Sequence, residues 1–251
     1  NIDSKNKIHI NNINLLIPAA GESKRFRDEE YKKSKIYLDI NGLSMIQSII
    51  NSFKNQTSTK VLIQEKDFLE KEFNQEKESI IKISKITEGQ AHSALKLIEE
   101  IDNKKPLLIH SSDCILDKNT KINIESYDIV VFTKSQYRRA FENYENYGWV
   151  NSKNGEIKSL SIKASPESKN SNVIIGTFLF KNKETYQKLF TETKKHKTTG
   201  EIHIDHLVET ALKQDLKVKE ISSTKSIMLG IPLEYKLFNY MKNVYYYLKK
   251  K

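Results

Sequence analysis

The chain has 251 residues, 37% of them hydrophobic, which is enough for one α/β domain with a substantial core and leaves little room for a second. The net charge of +10 at pH 7 could indicate nucleic-acid binding, but only four basic residues are arginine and the lysines are spread along the chain, so we expect no nucleic-acid surface. The single cysteine, Cys114, excludes an internal disulfide, and no apolar segment approaches the roughly 20 residues of a membrane span. We therefore expect a cytoplasmic protein without a membrane anchor, whose positive field attracts anionic substrates.

The chain is predicted to consist of a short leader and one domain. Residues 1–12 are polar and have no apolar core of the kind found in signal peptides, so they are expected to precede the first strand as a leader. Residues 13–251 contain no internal repeat and no long linker, and we expect them to form a single domain. Its first half, 13–126, and its second half, 127–251, differ in their pattern of strands.

The most informative stretch follows the first predicted strand. An apolar run from Ile13 to Ile17 is typical of a strand, and the proline, alanines and glycine after it let the backbone turn sharply. Open α/β sheets bind ligands at the carboxyl ends of their strands, where small residues let a phosphate approach main-chain N–H groups. The residues predicted to surround the phosphates are Ala19, Ala20, Gly21, Glu22, Ser23, Lys24 and Arg25. The stretch therefore predicts a nucleoside triphosphate site.

Two better-known phosphate loops do not fit this stretch. A Walker A loop requires a second glycine followed by lysine and serine or threonine, and a dinucleotide fingerprint requires three spaced glycines. The next glycine after Gly21 is Gly42, so both are excluded.

The stretch instead resembles the A-A-G-x-G-x-R…K signature of nucleotidyltransferases, the pyrophosphorylase-type enzymes that join a nucleoside monophosphate to a sugar phosphate or similar phosphate. It is most similar to a bacterial group, often of capsule or surface-polysaccharide loci and including cytidylyltransferases, with the pattern I-P-x-A-G-x-G-S-R-F…P-K-P…G-x-x-M-I. The matching positions are Gly21, Arg25, Phe26, Lys35, Gly42, Met45 and Ile46. Ser23 replaces the usual second glycine, and Ser34 replaces the proline before the lysine. The resemblance implies that Arg25 and Lys35 neutralise the triphosphate during catalysis, although Lys35 taken alone could be one more surface lysine.

The following elements predict the start of a parallel sheet. Ser44 can cap an amphipathic helix, and the apolar run from Val61 to Ile63 is the next buried strand. Residues 67–73 suggest another helix, and residues 80–83 another short strand. This order of strand, helix and strand is typical of parallel α/β sheets.

A second motif lies between Thr87 and Leu95, at the start of a predicted amphipathic helix. Gly89 frees the backbone there, and Gln90 offers both a donor and an acceptor, as reading a pyrimidine edge requires. The resembled family carries a T-E-G-x-A motif at this place, which implies that Gly89 and Gln90 contact the nucleoside. An ordinary helix start, with Thr87 as the cap and Gln90 in solvent, remains the alternative.

A third motif follows the apolar run from Pro106 to Ile109. Three apolar residues in a row predict a strand buried on both faces, which delivers Ser112 and Asp113 to its carboxyl end. A carboxylate there suits Mg²⁺, or Mn²⁺, because the metal combines one or two carboxylates with phosphate oxygens and water. The resemblance likewise implies that Asp113 holds the metal and that Ser112 lies at the nucleotide. Asp113 could otherwise cap a loop, and Asp117 is a weaker candidate ligand.

The second half predicts antiparallel pairing. Residues 147–150 and 157–163 are typical of a hairpin that turns at Asn154-Gly155, and Val173 to Phe180 is a further strand. The family places its acceptor site here, so the resemblance implies that Lys163 holds the acceptor phosphate and that Gly176 lies beside it. The usual glutamate before the lysine is Ile162 in this chain. Lys163 could also be a solvent-exposed lysine on an edge strand.

Three later residues bear on the acceptor and the metal. Glu201 lies in a segment that resembles the family's N-G-E-x-x motif, which implies that it orients acceptor hydroxyls or supports the metal. In relatives with a second metal aspartate, that aspartate lies in a D-x-G-T-P segment, and Met228 stands at its place here. A thioether does not suit Mg²⁺, so Asp205 is the expected substitute ligand.

The chain ends in a predicted amphipathic helix that Pro232 opens. Its excess of aromatic residues could cover the core or form a contact in a homodimer. Covering of the core is the expected role, and a homodimer contact is the alternative.

Taken together, the pattern of strands and helices predicts a three-layer α/β/α domain with a mixed, mainly parallel sheet. The resemblance implies a Rossmann-like nucleotidyltransferase fold, with nucleotide bound by residues 13–126 and acceptor by residues 127–251. It implies transfer of CMP from CTP, or of another nucleotide, to a sugar 1-phosphate, phosphocholine or a phosphorylated amino acid such as phosphoglutamine, for capsule or surface-polysaccharide precursors. The alternatives are a catalytically impaired nucleotide-binding protein and a nucleotide-sugar-dependent glycosyltransferase. A glycosyltransferase of this kind requires a D-x-D metal motif, and this chain has no second aspartate two residues after Asp113.

Overall fold

The computed structural model describes residues 8–122, 124, 126–197 and 200–249. In chain order the strands are β1 (Ile8–His9), β2 (Asn14–Pro18), β3 (Asp39–Ile40), β4 (Leu43–Ser44), β5 (Phe53–Lys54), β6 (Ser58–Gln64), β7 (Glu78–Ile83), β8 (Leu107–His110), β9 (Cys114–Ile115), β10 (Ile129–Lys134), β11 (Gly148–Lys153), β12 (Glu156–Ile162), β13 (Asn172–Phe180), β14 (Val218–Ser223) and β15 (Ile227–Met228). The helices are α1 (Lys24–Asp28), α2 (Met45–Ser52), α3 (Gln90–Glu99), α4 (Lys183–His196), α5 (Ile204–Lys213) and α6 (Pro232–Lys249). Short 3-10 segments lie at Lys35–Tyr37, Glu65–Asp67, Glu70–Glu72 and Arg138–Asn146.

The main sheet is mixed, with one dominant strand direction. Strands β7, β6, β2 and β8 pair in parallel in that order. Strand β13 is antiparallel to both β8 and β10, and β10 is parallel to β14. Strands β10 and β14 therefore point the same way as the first four, and β13 alone among these seven is reversed.

The second half of the sheet folds back on itself. Strand β11 pairs with β13 and β12, and β12 reaches β14, so β10, β13, β11, β12 and β14 form a closed ring. The carboxylate of Glu220 is buried there and accepts hydrogen bonds from Thr133 Oγ1 at 2.6 Å, from Asn172 Nδ2 at 2.9 Å and from the Ser152 hydroxyl. These neutral donors satisfy the buried charge and tie three ring strands to β14.

Helices cover both faces of the sheet. Successive side chains of a strand point to opposite faces, and in β2 Leu15 and Ile17 join one buried cluster while Leu16 joins the other. The first cluster is covered by α2 and the start of α6, and the second by α3, α4 and α5. The three-layer α/β/α arrangement with a mixed, mainly parallel sheet, predicted from the sequence, is confirmed.

Several local predictions are confirmed. The hydroxyl of Ser44 caps α2 by accepting the N–H of Gln47 at 3.3 Å. The predicted hairpin is β11 and β12, and its turn residues Asn154 and Gly155 both adopt positive φ, as a two-residue hairpin turn requires.

Two local predictions differ from the structure. The helix expected over residues 67–73 is wrong, because that segment contains only the two short 3-10 turns. Helix α4 was not predicted, although Asn182 caps it by accepting the Thr185 N–H at 2.9 Å and Tyr186, Leu189 and Phe190 recur with helical spacing.

The expected leader overlaps the domain. Residues 1–7 lie outside the described residues, but β1 pairs in parallel with β5, and the Ile10 N–H donates to the Lys54 carbonyl at 3.1 Å. The domain thus reaches back at least to residue 8. Among the helices of the described residues, none is both long enough and apolar enough to cross a membrane.

Candidate active site

A cleft opens at the carboxyl ends of β2 and β8. It has two connected parts, with volumes of about 450 and 390 Å³. The first, here called the loop side, is lined by the loop after β2 and the start of α3. The second, the hairpin side, is lined by β11, the end of β12 and residues 201–205. Arg25, Lys35, Gln90 and Asp113 line both parts, so they lie where the two sides meet.

The loop after β2 has free space beside Gly21 and is held in place by hydrogen bonds of Ser23. A Cβ added to Gly21 would meet nothing within 4 Å, so free space remains beside this residue. Ser23 adopts a φ of 54°, in the left-handed region that favours glycine. Its hydroxyl accepts the N–H of Lys35 at 3.2 Å and lies 3.3 Å from the Ser34 hydroxyl. The two residues that depart from the family pattern therefore contact each other and hold the loop against the lysine segment.

The alanines before the glycine have different surroundings. Ala20 and Glu22 line the loop side. The Ala19 side chain is buried in the core, and its N–H donates to the Leu62 carbonyl at 2.8 Å. Ala19 is therefore not among the residues that line the loop side, because the pairing of β2 with β6 extends to its N–H.

The start of α3 is joined to the second half of the chain. Gly89 has a φ of 104°, and a Cβ there would lie 2.8 Å from the carbonyl oxygen of Ile202. The Ala91 N–H donates to that same carbonyl at 3.0 Å. Only glycine allows this close approach, which brings Glu201 beside Gln90 at the boundary of the two sides.

Asp113 stands in the turn between β8 and β9 and is paired with Lys35. The Lys35 ammonium forms an ion pair with Asp113 Oδ2, and the Ser111 hydroxyl donates to Oδ1. Both charged side chains are about one-fifth exposed. Burial raises the pKa of the Asp113 carboxyl, but the Lys35 ammonium and the Ser111 hydroxyl more than offset it, so the pKa lies below its usual value. Ser112, beside it, is buried and lines the loop side.

Asp117, the weaker metal candidate, lies outside the cleft. Its carboxylate accepts hydrogen bonds from the Ser223 hydroxyl at 2.9 Å and from the backbone and side-chain N–H groups of Asn119. Neither part of the cleft includes it. This carboxylate therefore orders a loop, and its prediction as a possible metal partner is corrected.

The turn that carries Asp113 is held by His110, which the sequence did not single out. The imidazole is fully buried, with Nε2 3.0 Å from the Cys114 carbonyl oxygen and Nδ1 2.7 Å from the Thr177 hydroxyl. Because a carbonyl only accepts, Nε2 carries the proton and Nδ1 accepts from the hydroxyl. Burial lowers the pKa of His110 to about 4, so the ring is neutral at pH 7.

Strand β15 brings Met228 to the place expected for a second metal aspartate. It pairs with β9 so that Met228 lies opposite Cys114, next to Asp113. A Cβ added to Gly230 would lie 3.2 Å from Asp113 Oδ2. This segment thus lies beside Asp113, and the side chain opposite Cys114 is a thioether.

A buried carboxylate, Glu234, fixes the segment that follows. Its oxygens accept hydrogen bonds from the Gly230 N–H at 2.8 Å, the Ile231 N–H at 3.2 Å, the Tyr137 hydroxyl at 2.7 Å and the Tyr147 hydroxyl at 3.0 Å. Burial and the Glu234 carboxylate raise the pKa of both phenols, so they remain donors. No motif pointed to this network, because its members are distant in the sequence.

The hairpin side depends on a bulge in β13. Gly176 has a φ of 72°, and a Cβ there would lie 2.8 Å from the Ser111 Cβ. The register between β10 and β13 shifts at this point, and the Ser111 N–H donates to the Gly176 carbonyl at 3.0 Å. The glycine therefore positions the turn next to Asp113 while lining the hairpin side.

Lys163 follows β12 directly and lines the hairpin side. Its backbone adopts a φ of 51°, and its N–H donates to the Tyr147 carbonyl at 3.1 Å. Nearby, Arg25 Nη2 donates to Asn146 Oδ1 at 2.9 Å, and Asn146 also lines the hairpin side. Arg25, through its side chain, and Lys163, through its backbone, are thus bonded to the same stretch of chain before β11.

Asp205 and His203 form the floor of the hairpin side. A Cβ on Gly148 would lie 2.3 Å from Asp205 Oδ2, so the carboxylate is pressed against the backbone of β11. Burial raises the pKa of Asp205 to about 6, and the Lys163 charge opposes this shift. Burial, with Lys163 and His206 nearby, lowers the pKa of His203 to about 4. Asp205 lines only the hairpin side, whereas Asp113 lies at the junction.

Within the described residues, no group of three or more histidine, cysteine, aspartate or glutamate side chains is arranged to hold a metal ion. A site with one carboxylate remains compatible with Mg²⁺, which takes its other ligands from phosphate oxygens and water.

Comparison with known proteins adds evidence on the fold. No family model matches the sequence, and a search of curated proteins finds no match. Among solved structures, a nucleoside-diphosphate-sugar pyrophosphorylase from Vibrio cholerae RC9 superposes with a TM-score of 0.73 at 18% identity, covering 89% of this chain and 98% of that chain. An inositol-1-phosphate CTP transferase from T. maritima gives 0.71 at 14% identity, covering 92% and 95%. The chain has the nucleotidyltransferase fold.

A third structure extends this result. The CTP:phosphocholine cytidylyltransferase of Streptococcus pneumoniae gives a TM-score of 0.65 at 16% identity, covering 92% of this chain and 99% of that chain. The nucleotidyltransferase fold therefore accounts for nearly the whole length of the chain and of each compared structure, and the predicted fold class is confirmed.

Proposed function

We propose that the chain is a nucleotidyltransferase, which transfers a nucleoside monophosphate from a triphosphate to a phosphorylated acceptor and releases pyrophosphate. The observation that carries the proposal is the Lys35–Asp113 ion pair at the junction of the two sides of the cleft. An open glycine loop lies on one side of this pair and the basic Lys163 on the other. A triphosphate and a phosphate acceptor could therefore meet at the pair.

In the proposed reaction, an oxygen of the acceptor phosphate attacks the α-phosphorus of the triphosphate. A new phosphorus–oxygen bond forms, the bond to the bridging oxygen of the β-phosphate breaks, and pyrophosphate leaves with both electrons of that bond. The acceptor phosphate is already ionised at pH 7, so no side chain has to remove a proton. Catalysis then rests on alignment and on neutralising charge.

The chain's own cations perform that neutralisation. Lys35 already lies against Asp113, and its ammonium can turn toward the α-phosphate from there. Arg25 lines both sides, and its contact with Asn146 holds the guanidinium above the junction. Lys163 is assigned to the acceptor phosphate, and Gly21 with its neighbouring amides to the triphosphate.

A divalent cation, Mg²⁺ or Mn²⁺, is proposed at Asp113, with Asp205 as the candidate second carboxylate. The Asp113 carboxylate is ionised and lies at the junction, which suits such an ion. When bound, the ion would supply positive charge to the phosphate oxygens. The residue opposite Cys114 is Met228, so this place in the chain offers no second carboxylate.

CTP is the proposed nucleotide. Gln90 lies at the start of α3 and lines both sides, where its amide can both donate to and accept from a pyrimidine edge. Gly89 lets the backbone approach that position closely. Two of the compared structures are described as enzymes that use CTP, which supports the choice.

The acceptor is proposed to combine a phosphate with hydroxyl groups or with a positively charged group. Lys163 offers a cation for the phosphate, while Glu201 offers a carboxylate for hydroxyl or ammonium groups. A sugar 1-phosphate, phosphocholine and a phosphorylated amino acid all meet this description. The product would be a precursor for capsule or surface polysaccharide, made in the cytoplasm.

Pyrophosphate release tests the proposal directly. The protein would be incubated with Mg²⁺ or Mn²⁺, with each of CTP, UTP, dTTP, GTP and ATP, and with each of the three acceptor classes. Release with CTP and one acceptor is the expected result. Nucleotide binding without release for any acceptor would indicate an impaired binding protein. Glycosyl transfer in a parallel incubation with a nucleotide sugar would indicate a glycosyltransferase. Either outcome would contradict the proposed reaction.

A further inference from the structure

Helix α6 is attached to the domain through one face of its first half. Tyr235 and Phe238 pack against the buried cluster that α2 covers. The Tyr235 hydroxyl donates to the Asp39 carbonyl at 3.2 Å, and Lys242 Nζ lies 3.2 Å from Asp39 Oδ1. These contacts show which side of α6 faces the body of the protein.

The opposite side of α6 exposes large apolar side chains to solvent. Tyr240, Met241 and Leu248 are 65%, 62% and 63% exposed, and Leu233 at the start of the helix is 48% exposed. Most of the exposed large apolar residues of the described chain lie on this helix. Isolated exposed residues of this kind are common, but a continuous row of them marks an interaction site.

These residues repeat with the spacing of a helix–helix seam. Leu233, Leu237, Tyr240, Val244 and Tyr247 follow one another at alternating intervals of four and three residues, and we call this row the α6 stripe. A repeat of this spacing places the side chains in one line along a helix, as in coiled coils. Met241 and Leu248 flank the line. The body-facing residues lie on the other side of the helix, so α6 is apolar on both sides.

The lysine beside the stripe is already compensated within the chain. Lys236 is paired with Glu29, while Lys242 pairs with Asp39 on the body-facing side. With a net charge of +10, two copies of the chain should repel each other at most surfaces. Internal pairing of these lysines reduces that repulsion at α6, which therefore suits a second copy of the same chain.

The area of the stripe is sufficient for a small specific interface. A buried aromatic side chain covers about 150–250 Å². The five side chains that are about half to two-thirds exposed, together with the less exposed Leu237 and Val244, would bury on the order of 600 Å² per copy. Two copies would bury about 1,200 Å², which is the lower bound of stable protein–protein interfaces. The stripe is thus large enough for self-association.

We propose that two copies of the chain associate through the α6 stripe, as an antiparallel helix pair with two-fold symmetry. In such a pair the projecting end of one helix packs against Leu233 and Leu237 of the other. A parallel pair would bring the lysine-rich ends after Leu248 together, whereas the antiparallel arrangement keeps them apart. Neither side of the cleft includes a stripe residue, so the dimer does not depend on the proposed reaction.

Sedimentation of the full chain over a range of concentrations tests the proposal. The wild type is expected to be a dimer at micromolar concentration. In the double variant Tyr240→Asp/Leu248→Asp the symmetric dimer carries four buried carboxylates, so we expect its dissociation constant to rise by at least about 100-fold. Tyr246→Asp is the matched control, since Tyr246 is 51% exposed on α6 but lies off the stripe, and should change the constant by less than about threefold.

Three results would overturn the proposal. The wild type could remain monomeric at about 100 µM, or the double variant could dimerise as tightly as the wild type. The monomer could also float with vesicles of phosphatidylglycerol and phosphatidylcholine through the same residues without dimerising, which would assign the stripe to an anionic membrane. Far-UV circular dichroism of each variant shows whether the helices are retained, and pyrophosphate release is measured separately.

Discussion

The two sides of the cleft are built in different ways. The loop side comes from residues that directly follow parallel strands, so Gly21, Ser23 and Asp113 owe their positions to short segments of chain. The hairpin side is assembled from places far apart in the sequence, such as Lys163 after β12 and Asp205 in α5. The residues of the loop side can therefore be recognised as a sequence motif, whereas the residues of the hairpin side come together only in the folded structure.

The contrast also concerns how each side is held. The loop side is fastened by local hydrogen bonds, such as the one from the Lys35 N–H to the Ser23 hydroxyl. The hairpin side depends on close approaches at glycines, with Asp205 pressed against Gly148 and Ser111 against Gly176. We expect substitutions on the loop side to change the chemical step, and substitutions on the hairpin side to change acceptor binding.

The largest effect is expected at the junction. Asp113→Asn should lower kcat by at least about 1,000-fold, because the carboxylate that would hold the cation is lost. The measurement is the rate of pyrophosphate release with saturating substrates.

Asp117→Asn is the control for that substitution. Asp117 lies four residues later and binds Ser223 outside the cleft, so its loss should leave kcat within about threefold of the wild type. Equal losses in both variants would show that the loop, and not the Asp113 carboxylate, is responsible.

A smaller effect is expected on the hairpin side. Lys163→Met removes a charged hydrogen bond to the acceptor phosphate, which is worth about 1.5–3 kcal/mol, so kcat/KM for the acceptor should fall about 10- to 100-fold. The KM for the nucleotide should change little. Steady-state kinetics with one substrate varied at a time separates the two.

The control on the same strand is Lys158→Met. Lys158 pairs with Glu156 at 2.9 Å on the exposed part of β12, away from the cleft. The Lys158→Met variant should leave the KM for the nucleotide and the KM for the acceptor unchanged. A rise in the nucleotide KM of Lys163→Met, without a change for the acceptor, would contradict the division into two sides.

The smallest effect concerns His110, which bonds β8 to Thr177 of β13 and so joins the two sides. Its folded pKa, about 4, is below the ordinary value of 6.5, so the unfolded chain binds the proton first as the pH falls. The contribution of the neutral His110 ring to the free energy of unfolding is complete above pH 6.5 and is lost as the pH falls toward 4. Between pH 7 and pH 5 this group should lower the free energy of unfolding by about 2 kcal/mol.

Urea unfolding at both pH values measures this contribution. His110→Gln removes the titrating group, so its free energy of unfolding should fall less between pH 7 and pH 5 than that of the wild type. His196→Gln, on the exposed surface of α4, should keep the wild-type dependence. Identical pH dependence in wild type and His110→Gln would show that the buried imidazole is not the group that titrates.

The sequence predicted the parts of the structure that depend on local signals. The glycine loop, the hairpin turn at Asn154-Gly155 and the buried strand before Asp113 each combine a pattern with a turn residue. The segment 67–73 has helical composition, yet tertiary contacts leave it as two short turns. Propensity alone could not decide that case.

Residues that act through distant partners could not be found in this way. His110 occupies an ordinary strand position, and only the fold brings the Thr177 hydroxyl and the Cys114 carbonyl to its ring. Glu234 is similar, because its four donors come from three segments. Asn182, by contrast, is a recognisable helix cap, and a search for caps before periodic apolar residues would have located α4.

The closed ring of strands in the second half limits how the protein can assemble. Since β10 and β14 are both paired on each side, β7 is the edge of the main sheet that remains open among the described strands. That edge carries the charged residues Glu78 and Lys82, which oppose the addition of a foreign strand. Growth of the sheet from one molecule to the next, the usual route to fibres, is therefore blocked at one end by closure and at the other by charge.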